Sequence, residues 1–230
     1  MIPDFENVLA IYHGDTEISR VYQGDELVWE KQSGAAFQVL AQNKLYYRLY
    51  GDDITVDFGD GTVITDSYPL AQFDTSVLNH TFPNTQEYTV TFTGGIKSIA
   101  FYNDDGTFLK NNTGLLEVLT PIPPLSHMPR YLFTMCVNLR SVPGDLFRHN
   151  TTILDVNRYF YNDKSLTSIP LSLFEPTQNI SNFKECFRGC TGLTGNAPVI
   201  WTRDNVTSYS QCFRNCTGLS NYADIPSDWK

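Results

Sequence analysis

The chain has 230 residues, of which 41% are hydrophobic and 18% are charged, and its formal net charge at pH 7 is −9. This composition supports a packed core and argues against global disorder. The sequence has no run rich in Lys and Arg, which argues against nucleic acid or an anionic membrane as the main partner. It also lacks an apolar run of the ~18 residues that span a membrane, and its start does not read as a signal peptide. We expect a soluble protein of roughly one to three small domains.

The segment between residues 8 and 31 contains two copies of one short pattern, offset by ten residues. In each copy a Gly-Asp pair separates two runs of strand-forming residues, which predicts two β-hairpins. Two hairpins bury too little surface to fold alone. They must therefore pack on the neighbouring domain, on another copy, or on a docking partner. We assign residues 1–34 to this docking module, with the candidate docking residues Tyr12, Tyr22 and Trp29.

Residues 35–95 contain short alternating runs separated by Gly/Asp turns, a pattern typical of a β-sandwich. Three pieces of this segment, Val56 to Thr62, His80 to Phe82, and Tyr88 to Val90, resemble the PKD family of immunoglobulin-like domains. That family usually has Trp where this chain has Val56. The resemblance implies a spacer or binding module of extracellular or virion proteins.

Four carboxylates lie close together in this segment, at Asp52, Asp53, Asp57 and Asp60. Ca²⁺ prefers several oxygen ligands, so a calcium site is one interpretation. Asp at a turn also bonds backbone amides. We favour the turn interpretation and predict no bound metal.

The last hundred residues repeat one pattern with a period of 26 or 27 residues. A fixed period in the twenties indicates a solenoid, in which stacked layers make a continuous core. The pattern resembles the leucine-rich repeats of BspA-like bacterial surface antigens, and we assign residues 96–230 to it, with units near 131–157, 158–184, 185–210 and 211–230. The predicted core columns are Phe133, Phe160, Phe187 and Phe213, and Leu139, Leu166, Leu193 and Leu219.

All five Cys occupy two positions of the repeat unit. A buried thiol is a good small filler of such a column, so we interpret the cysteines as structural. A zinc site, which needs four converging ligands, and a disulfide remain as alternatives. One column contains Cys136, Asp163, Cys190 and Cys216, and the other contains Leu132, Tyr159, Cys186 and Cys212.

The final unit ends in Ile225 to Lys230 without a polar capping unit. The end of a solenoid exposes its core unless something covers it. We predict that Trp229 folds back as a lid, and the alternative is that another subunit covers this layer.

No catalytic motif stands out in the sequence. The four His lie in different segments, and no Gly-x-Ser-x-Gly, HExxH or phosphate-loop pattern is present. Paired carboxylates could serve a glycosidase, but no pair is singled out. We predict a protein that is not an enzyme and has no cofactor.

The string from Ile11 to Trp29 is similar to short modules near the start of bacteriophage tail and fibre proteins, particularly in phages of gut Bacteroidetes. The overall prediction is a mainly β virion protein, with a hairpin module, a PKD-like β-sandwich and a leucine-rich-repeat solenoid. The resemblance implies that the hairpins dock to other virion proteins and that the solenoid contacts a host protein or glycan, as a homo-oligomer in the virion. Candidate contact residues are Tyr159, Tyr161, Trp201, Tyr209 and Tyr222, which ordinary packing would also explain.

Two other functions share the same modules. A bacterial surface adhesin of the leucine-rich-repeat type would carry a secretion signal or a lipid-attachment Cys near its start. An accessory module of a carbohydrate-active enzyme would need a catalytic partner on the same chain. Because the sequence shows neither feature, we keep these two functions only as alternatives to the virion protein.

Overall fold

The computed structural model describes residues 36–104 and 106–230, together with the backbone of four short strands nearer the start of the chain. These strands are β1 (Ile11–His13), β2 (Thr16–Ile18), β3 (Arg20–Gln23) and β4 (Glu26–Glu30). β1 pairs with β2 and β3 pairs with β4, both antiparallel, as two hairpins require. The side chains of Tyr12, Tyr22 and Trp29 lie outside the described residues, so their docking role stays a prediction.

The chain divides into two compact units, residues 1–35 and residues 36–230, and the protein is mainly β. The second unit begins with eight strands and one short helix. In chain order these are β5 (Phe37–Ala41), β6 (Lys44–Asp57), β7 (Val63–Tyr68), α1 (Leu70–Phe73), β8 (Leu78–Thr81), β9 (Tyr88–Ala100), β10 (Asn103–Asp104), β11 (Leu109–Lys110) and β12 (Leu115–Val118). None of the helices in the described residues combines the length and apolar character needed to cross a membrane.

Six of these strands form one antiparallel sheet in the order β12-β5-β9-β6-β7, with β8 paired to the first residues of β6. β6 is a single long strand, although its sequence reads as two runs. Its register against β9 shifts near Gly51 and again before Thr55. The strands approach so closely at this bulge that a Cβ atom on Gly51 would lie 2.1 Å from the carbonyl oxygen of Gly95. Glycine is therefore required where the long strand bends.

The sheet continues directly into the repeats through its edge strand β12. The amide of Val118 donates to the carbonyl of Ser141 (3.1 Å), and the amide of Arg140 donates to the carbonyl of Leu116 (2.7 Å). The boundary predicted between residues 95 and 96 lies inside β9, and one hydrophobic core extends across it. Residues 36–230 therefore share a core, and the sheet provides the first layer against which the repeats stack.

The repeats stack as four layers whose central element is a column of aromatic rings. The rings of Phe133 and Phe160 are stacked with centroids 5.4 Å apart, those of Phe160 and Phe187 at 5.1 Å, and those of Phe187 and Phe213 at 5.6 Å. Phe101, which follows β9, stacks on Phe133 at 5.9 Å and joins the column to the sheet. Each layer also donates main-chain hydrogen bonds to the next, such as Phe160 N–H to the carbonyl of Cys186 at 2.9 Å. The Leu column is buried as well, at 0–4% exposure.

The layers turn at two recurring positions, one found in all four layers and the other in the last three. Left-handed backbone conformations recur at Arg158, Glu185 and Gln211, with φ of 57°, 55° and 60°. They recur again at Met135, Asn162, Gly189 and Asn215, with φ between 60° and 79°. Non-glycine residues adopt this region at a cost of about 1 kcal/mol. Repetition in register indicates that the turns are imposed by the stacking of the layers and not by glycine in the sequence.

The last described layer is covered by Trp229. The chain ends in three 3₁₀ turns, Ile200–Thr202, Tyr222–Asp224 and Ser227–Trp229. Trp229 is 4% exposed, its ring stacks on Phe213 at 6.4 Å, and its carbonyl accepts the amide of Phe213 at 2.9 Å. The predicted tryptophan lid is confirmed.

The aromatic column yields a direct stability prediction. We expect Phe187→Ala to lower the free energy of unfolding by about 3–5 kcal/mol, because it leaves a cavity between two stacked rings. Leu171→Ala is the matched control, since Leu171 is 62% exposed, and we expect a change within about 0.5 kcal/mol. Urea unfolding followed by circular dichroism measures both. Equal losses in the two variants would show that the column does not support the fold.

Candidate binding surface

The three PKD-like pieces meet in one cluster. The ring of His80 stacks on Phe58 with centroids 3.9 Å apart, and Phe82 contacts His80 on one side and Tyr88 on the other, each at 4.8 Å. The carboxylate of Asp60 lies 2.7 Å from His80 Nε2. These residues therefore close one end of the sheet around a partly buried polar pair, which is a structural role.

The carboxylates of the possible calcium site serve the turn and an ion pair. Asp57 Oδ1 accepts the amide of Gly59 at 2.8 Å, and Asp60 Oδ1 accepts the amide of Thr62 at 2.9 Å. Asp52 forms an ion pair with Lys97. Within residues 36–104 and 106–230, no three carboxylate, His or Cys side chains are grouped as a metal would require. The turn interpretation therefore accounts for Asp57 and Asp60, and the absence of a bound metal stays a prediction.

All five Cys are buried as free thiols. The Sγ atoms of Cys136, Cys190 and Cys216 point at phenylalanine carbonyl oxygens one layer back, at 3.5, 2.8 and 3.0 Å. Burial is the main cause that raises the pKa of these thiols above its ordinary value. A thiol that stays protonated is a weak donor to the layer below, so these cysteines fill the core and satisfy its carbonyl groups.

Asp163 takes the place of a cysteine in this column. Its side chain is fully buried, Oδ1 accepts the amide of Cys136 at 2.9 Å, and Oδ2 has no partner. Burial raises the pKa of this carboxyl well above its ordinary value. Protonated Asp163 would have one O–H donor in the place that the thiols occupy in the other layers. By the register of the repeat, the acceptor for this donor would be the carbonyl of Phe133.

An open cleft of about 740 Å³ lies between the end of α1 and the first two repeat units. Pockets for small ligands have volumes in this range. Polar side chains reach it from the residue that follows α1, from the segment before the first repeat unit, and from the first and second units. They are Asp74, His127, Arg130, Asp155, Asn157 and Asn182.

The floor of the cleft is a hydrogen-bonded row of polar groups. Asp155 and Asn182 are paired as parallel neighbours in adjacent layers. Asp155 Oδ1 accepts the amide of Asn157 at 2.7 Å, Asp155 Oδ2 accepts Asn182 Nδ2 at 2.9 Å, and Asn157 Nδ2 donates to the carbonyl of Lys184 at 2.9 Å. These contacts fix the side chains, and each carboxylate oxygen keeps a further lone pair for a ligand donor.

The opposite wall is positioned by a buried arginine in β6. Arg48 Nη1 donates to the carbonyl of Phe73 at 2.8 Å, and Arg48 Nη2 lies 2.9 Å from Asp104. Phe73 then packs edge-on against the ring of His127, with centroids 5.8 Å apart. The cleft thus combines fixed acceptors, the guanidinium of Arg130 and the 59% exposed side chain of Leu154, which suits a ligand rich in hydroxyl groups.

The structure separates the five aromatic residues that the sequence singled out for contact. Tyr159 lines the cleft, but it is 1% exposed and its hydroxyl donates to the carbonyl of Pro129 at 3.1 Å. It shapes the wall and is corrected from a surface contact to a core residue, because its repeat position is an inward one. Tyr161 lies partly exposed between two arginines. Trp201, Tyr209 and Tyr222 are partly buried against the core, near the last layer.

The polar residues of the cleft were missed from the sequence. Their signal was available in the repeat register, since Asp155 and Asn182 occupy one position of the unit, 27 residues apart. Arg48, His127 and Asp74 carry no such signal because they come from outside the aligned units. Comparison of the chain with protein-family models, with curated proteins and with solved structures finds no match.

The pair of Asp60 and His80 predicts an acid-dependent contribution to stability. Burial raises the pKa of Asp60, but hydrogen bonds from His80 and Thr62 outweigh burial and lower it overall. A lowered pKa stabilises the fold above the unfolded pKa near 3.9, and this stability is lost as the pH falls through the folded value. We expect Asp60→Asn to lower the free energy of unfolding by about 1–2 kcal/mol at pH 7. We also expect the free energy of unfolding of this variant to depend less on pH below about pH 4 than that of the parent. An unchanged acid profile would contradict this role.

Asp163 predicts the opposite pH dependence. Because its pKa is raised in the folded state, the folded protein keeps a proton that the unfolded chain loses above about pH 4. Stability should therefore fall with rising pH by roughly 1.4 kcal/mol per unit until the folded pKa is reached. Asp163→Asn keeps the acceptor and the donor without ionising, so we expect it to stabilise the protein at pH 7 and to have little effect at pH 4. Urea midpoints at the two pH values measure this, and a larger gain at pH 4 would refute it.

Proposed function

We propose that this protein is a non-enzymatic structural and adhesive component of a bacteriophage virion, such as a tail, fibre or capsid-decoration protein. In this proposal the sheet is a PKD-like domain, the stacked layers are a leucine-rich-repeat solenoid of the BspA-like kind, and residues 1–34 dock to other virion proteins. The solenoid then presents its surface to a host protein or glycan.

The proposal rests on the observation that Cys, Asp and His residues, which often serve in reactive sites, have structural roles here. In the described part of the chain, the five Cys are buried in core columns, and Asp57, Asp60 and His80 hold a turn to the sheet. A scaffold whose cysteines and turn carboxylates serve packing is suited to presenting a surface. The stacked Phe and Leu columns, repeated every 26 or 27 residues, support the solenoid assignment.

The cleft is the part of this surface best suited to a ligand. It is open, it lies between the end of α1 and the first two repeat units, and its acceptors are held in place by neighbouring layers. A sugar would meet both hydrogen-bonding groups and apolar surface there. Host glycans are accordingly the partner that we favour over host proteins.

The main alternative is a bacterial cell-surface adhesin of the leucine-rich-repeat type. It would use the same sheet, layers and cleft, so the two functions differ in location and not in chemistry. Mass spectrometry of purified virions and of host membrane fractions separates them. Peptides of this chain found only in membranes would exclude the virion protein.

Native mass in solution tests the fibre role. We expect light scattering after size exclusion to give a trimer or a larger ring, because fibres and collars are closed oligomers. A monomer of 26.1 kDa would rule out the fibre role.

Purified protein should also reduce phage adsorption when host cells are incubated with it first, and unaltered adsorption would contradict the adhesive role.

A further inference from the structure

Basic and aromatic side chains that are distant in the sequence lie together on the stacked layers. The guanidinium carbons of Arg158 and Arg188 are 5.5 and 5.7 Å from the ring centre of Tyr161, within the range of cation–π contacts. The amide of Asn162 donates to the carbonyl of Arg188, and the amide of Gly189 donates to the carbonyl of Arg214, both at 2.8 Å. Tyr161, Arg188 and Arg214 therefore follow one another on successive layers.

This surface already holds one carboxylate. The side chain of Glu185 is 7% exposed and lies between the two arginines. Arg158 Nε and Nη2 donate to its two oxygens at 3.0 and 3.2 Å, and Arg188 Nη1 lies 3.3 Å from Oε2. Such forked pairs are the strong form of arginine–carboxylate recognition. Because one carboxylate is shared by two guanidinium groups, the cluster keeps a positive charge.

Further cations extend the cluster. Lys184 and Arg214 are exposed on the same layers, and Tyr131 lies near enough to Arg158 to contribute to the raised pKa of that guanidinium. The whole chain has only 16 basic residues and a net charge of −9, so four cations on one face are a local reversal of charge. A long polyanion such as nucleic acid would be repelled by the rest of the molecule. A short ligand with a few carboxylates would meet the basic face alone.

We infer that the face formed by Tyr131, Arg158, Tyr161, Lys184, Arg188 and Arg214 binds carboxylate-bearing glycans. The Nε and Nη2 donors of Arg158 are bound to Glu185, so the remaining donors of Arg188 and those of Arg214 serve the sugar carboxylate, and the tyrosines supply a ring and a hydroxyl for the sugar body. This inference rests on the proposed adhesive function and specifies its ligand class. It places the charged part of the ligand on the basic face, next to the cleft that Arg130 and Asn157 line.

The test is calorimetric binding of the full chain to two carboxylated probes, oligogalacturonate and sialyllactose, with uncharged maltooligosaccharide for comparison. The test variant is Arg188→Gln/Arg214→Gln, which leaves Arg158 to hold Glu185. Its matched control is Arg148→Gln/Lys164→Gln, which removes the same charge from other columns of the repeat. We expect the test variant to bind at least one carboxylated probe about ten- to hundredfold more weakly than the parent. The control should remain within about twofold of the parent.

Several outcomes overturn the inference. It fails if neither carboxylated probe binds, if the uncharged sugar binds equally well, or if both double variants lose affinity equally. It also fails if single-stranded DNA competes as strongly as the carboxylated probes. The adhesive function is tested separately, since an Arg188→Gln/Arg214→Gln variant that still blocks phage adsorption would reject the basic face and leave adhesion intact.

Discussion

The structure depends on one column of stacked aromatic rings. It begins at Phe101 on the sheet, continues through Phe133, Phe160 and Phe187, and ends under Trp229. A single layer has one face that it cannot bury, so each ring is stable only because its neighbours cover it. The sheet and Trp229 close the two ends, and residues 36–230 share one core for this reason. Every surface group of a layer is placed by this stacking.

Stacking also decides how polar groups are accommodated inside the layers. Carbonyls that point into the core need donors, and the thiols of Cys136, Cys190 and Cys216 are directed at them. Asp163 occupies the same place with a carboxyl group, and burial favours its protonated form. Arg48 is the corresponding case in the sheet, where a buried guanidinium ties α1 and β10 to β6. These groups are chemically reactive in other settings, but here they serve packing.

Stacking creates surfaces from residues that no local motif connects. The cleft joins Asp155 and Asn182 from adjacent layers with His127 and Asp74 from outside them, and the basic face joins arginines from successive units. The repeat register would have predicted which positions align, and so part of both surfaces was available from the sequence. The register also placed Tyr159 in a column with Leu132, Cys186 and Cys212, all of which are buried, so the inward position of Tyr159 was available from the sequence although we predicted a surface contact. It also gave no sign of Arg48, whose side-chain partners Phe73 and Asp104 come from two separate segments.

The sequence by itself determined the mainly β character, the 26- to 27-residue period, the core columns of Phe, Leu and Cys, and the Trp229 lid. These follow from local turn chemistry and from periodicity, which the order of residues records directly. Only the tertiary structure decided that β6 is one bent strand, that β9 continues across the expected boundary at residue 96, and that the sheet forms the first layer of the stack. Those features depend on contacts between distant segments. The free energy of these contacts is gained only when distant segments pack together, so no single stretch of the sequence predicts them.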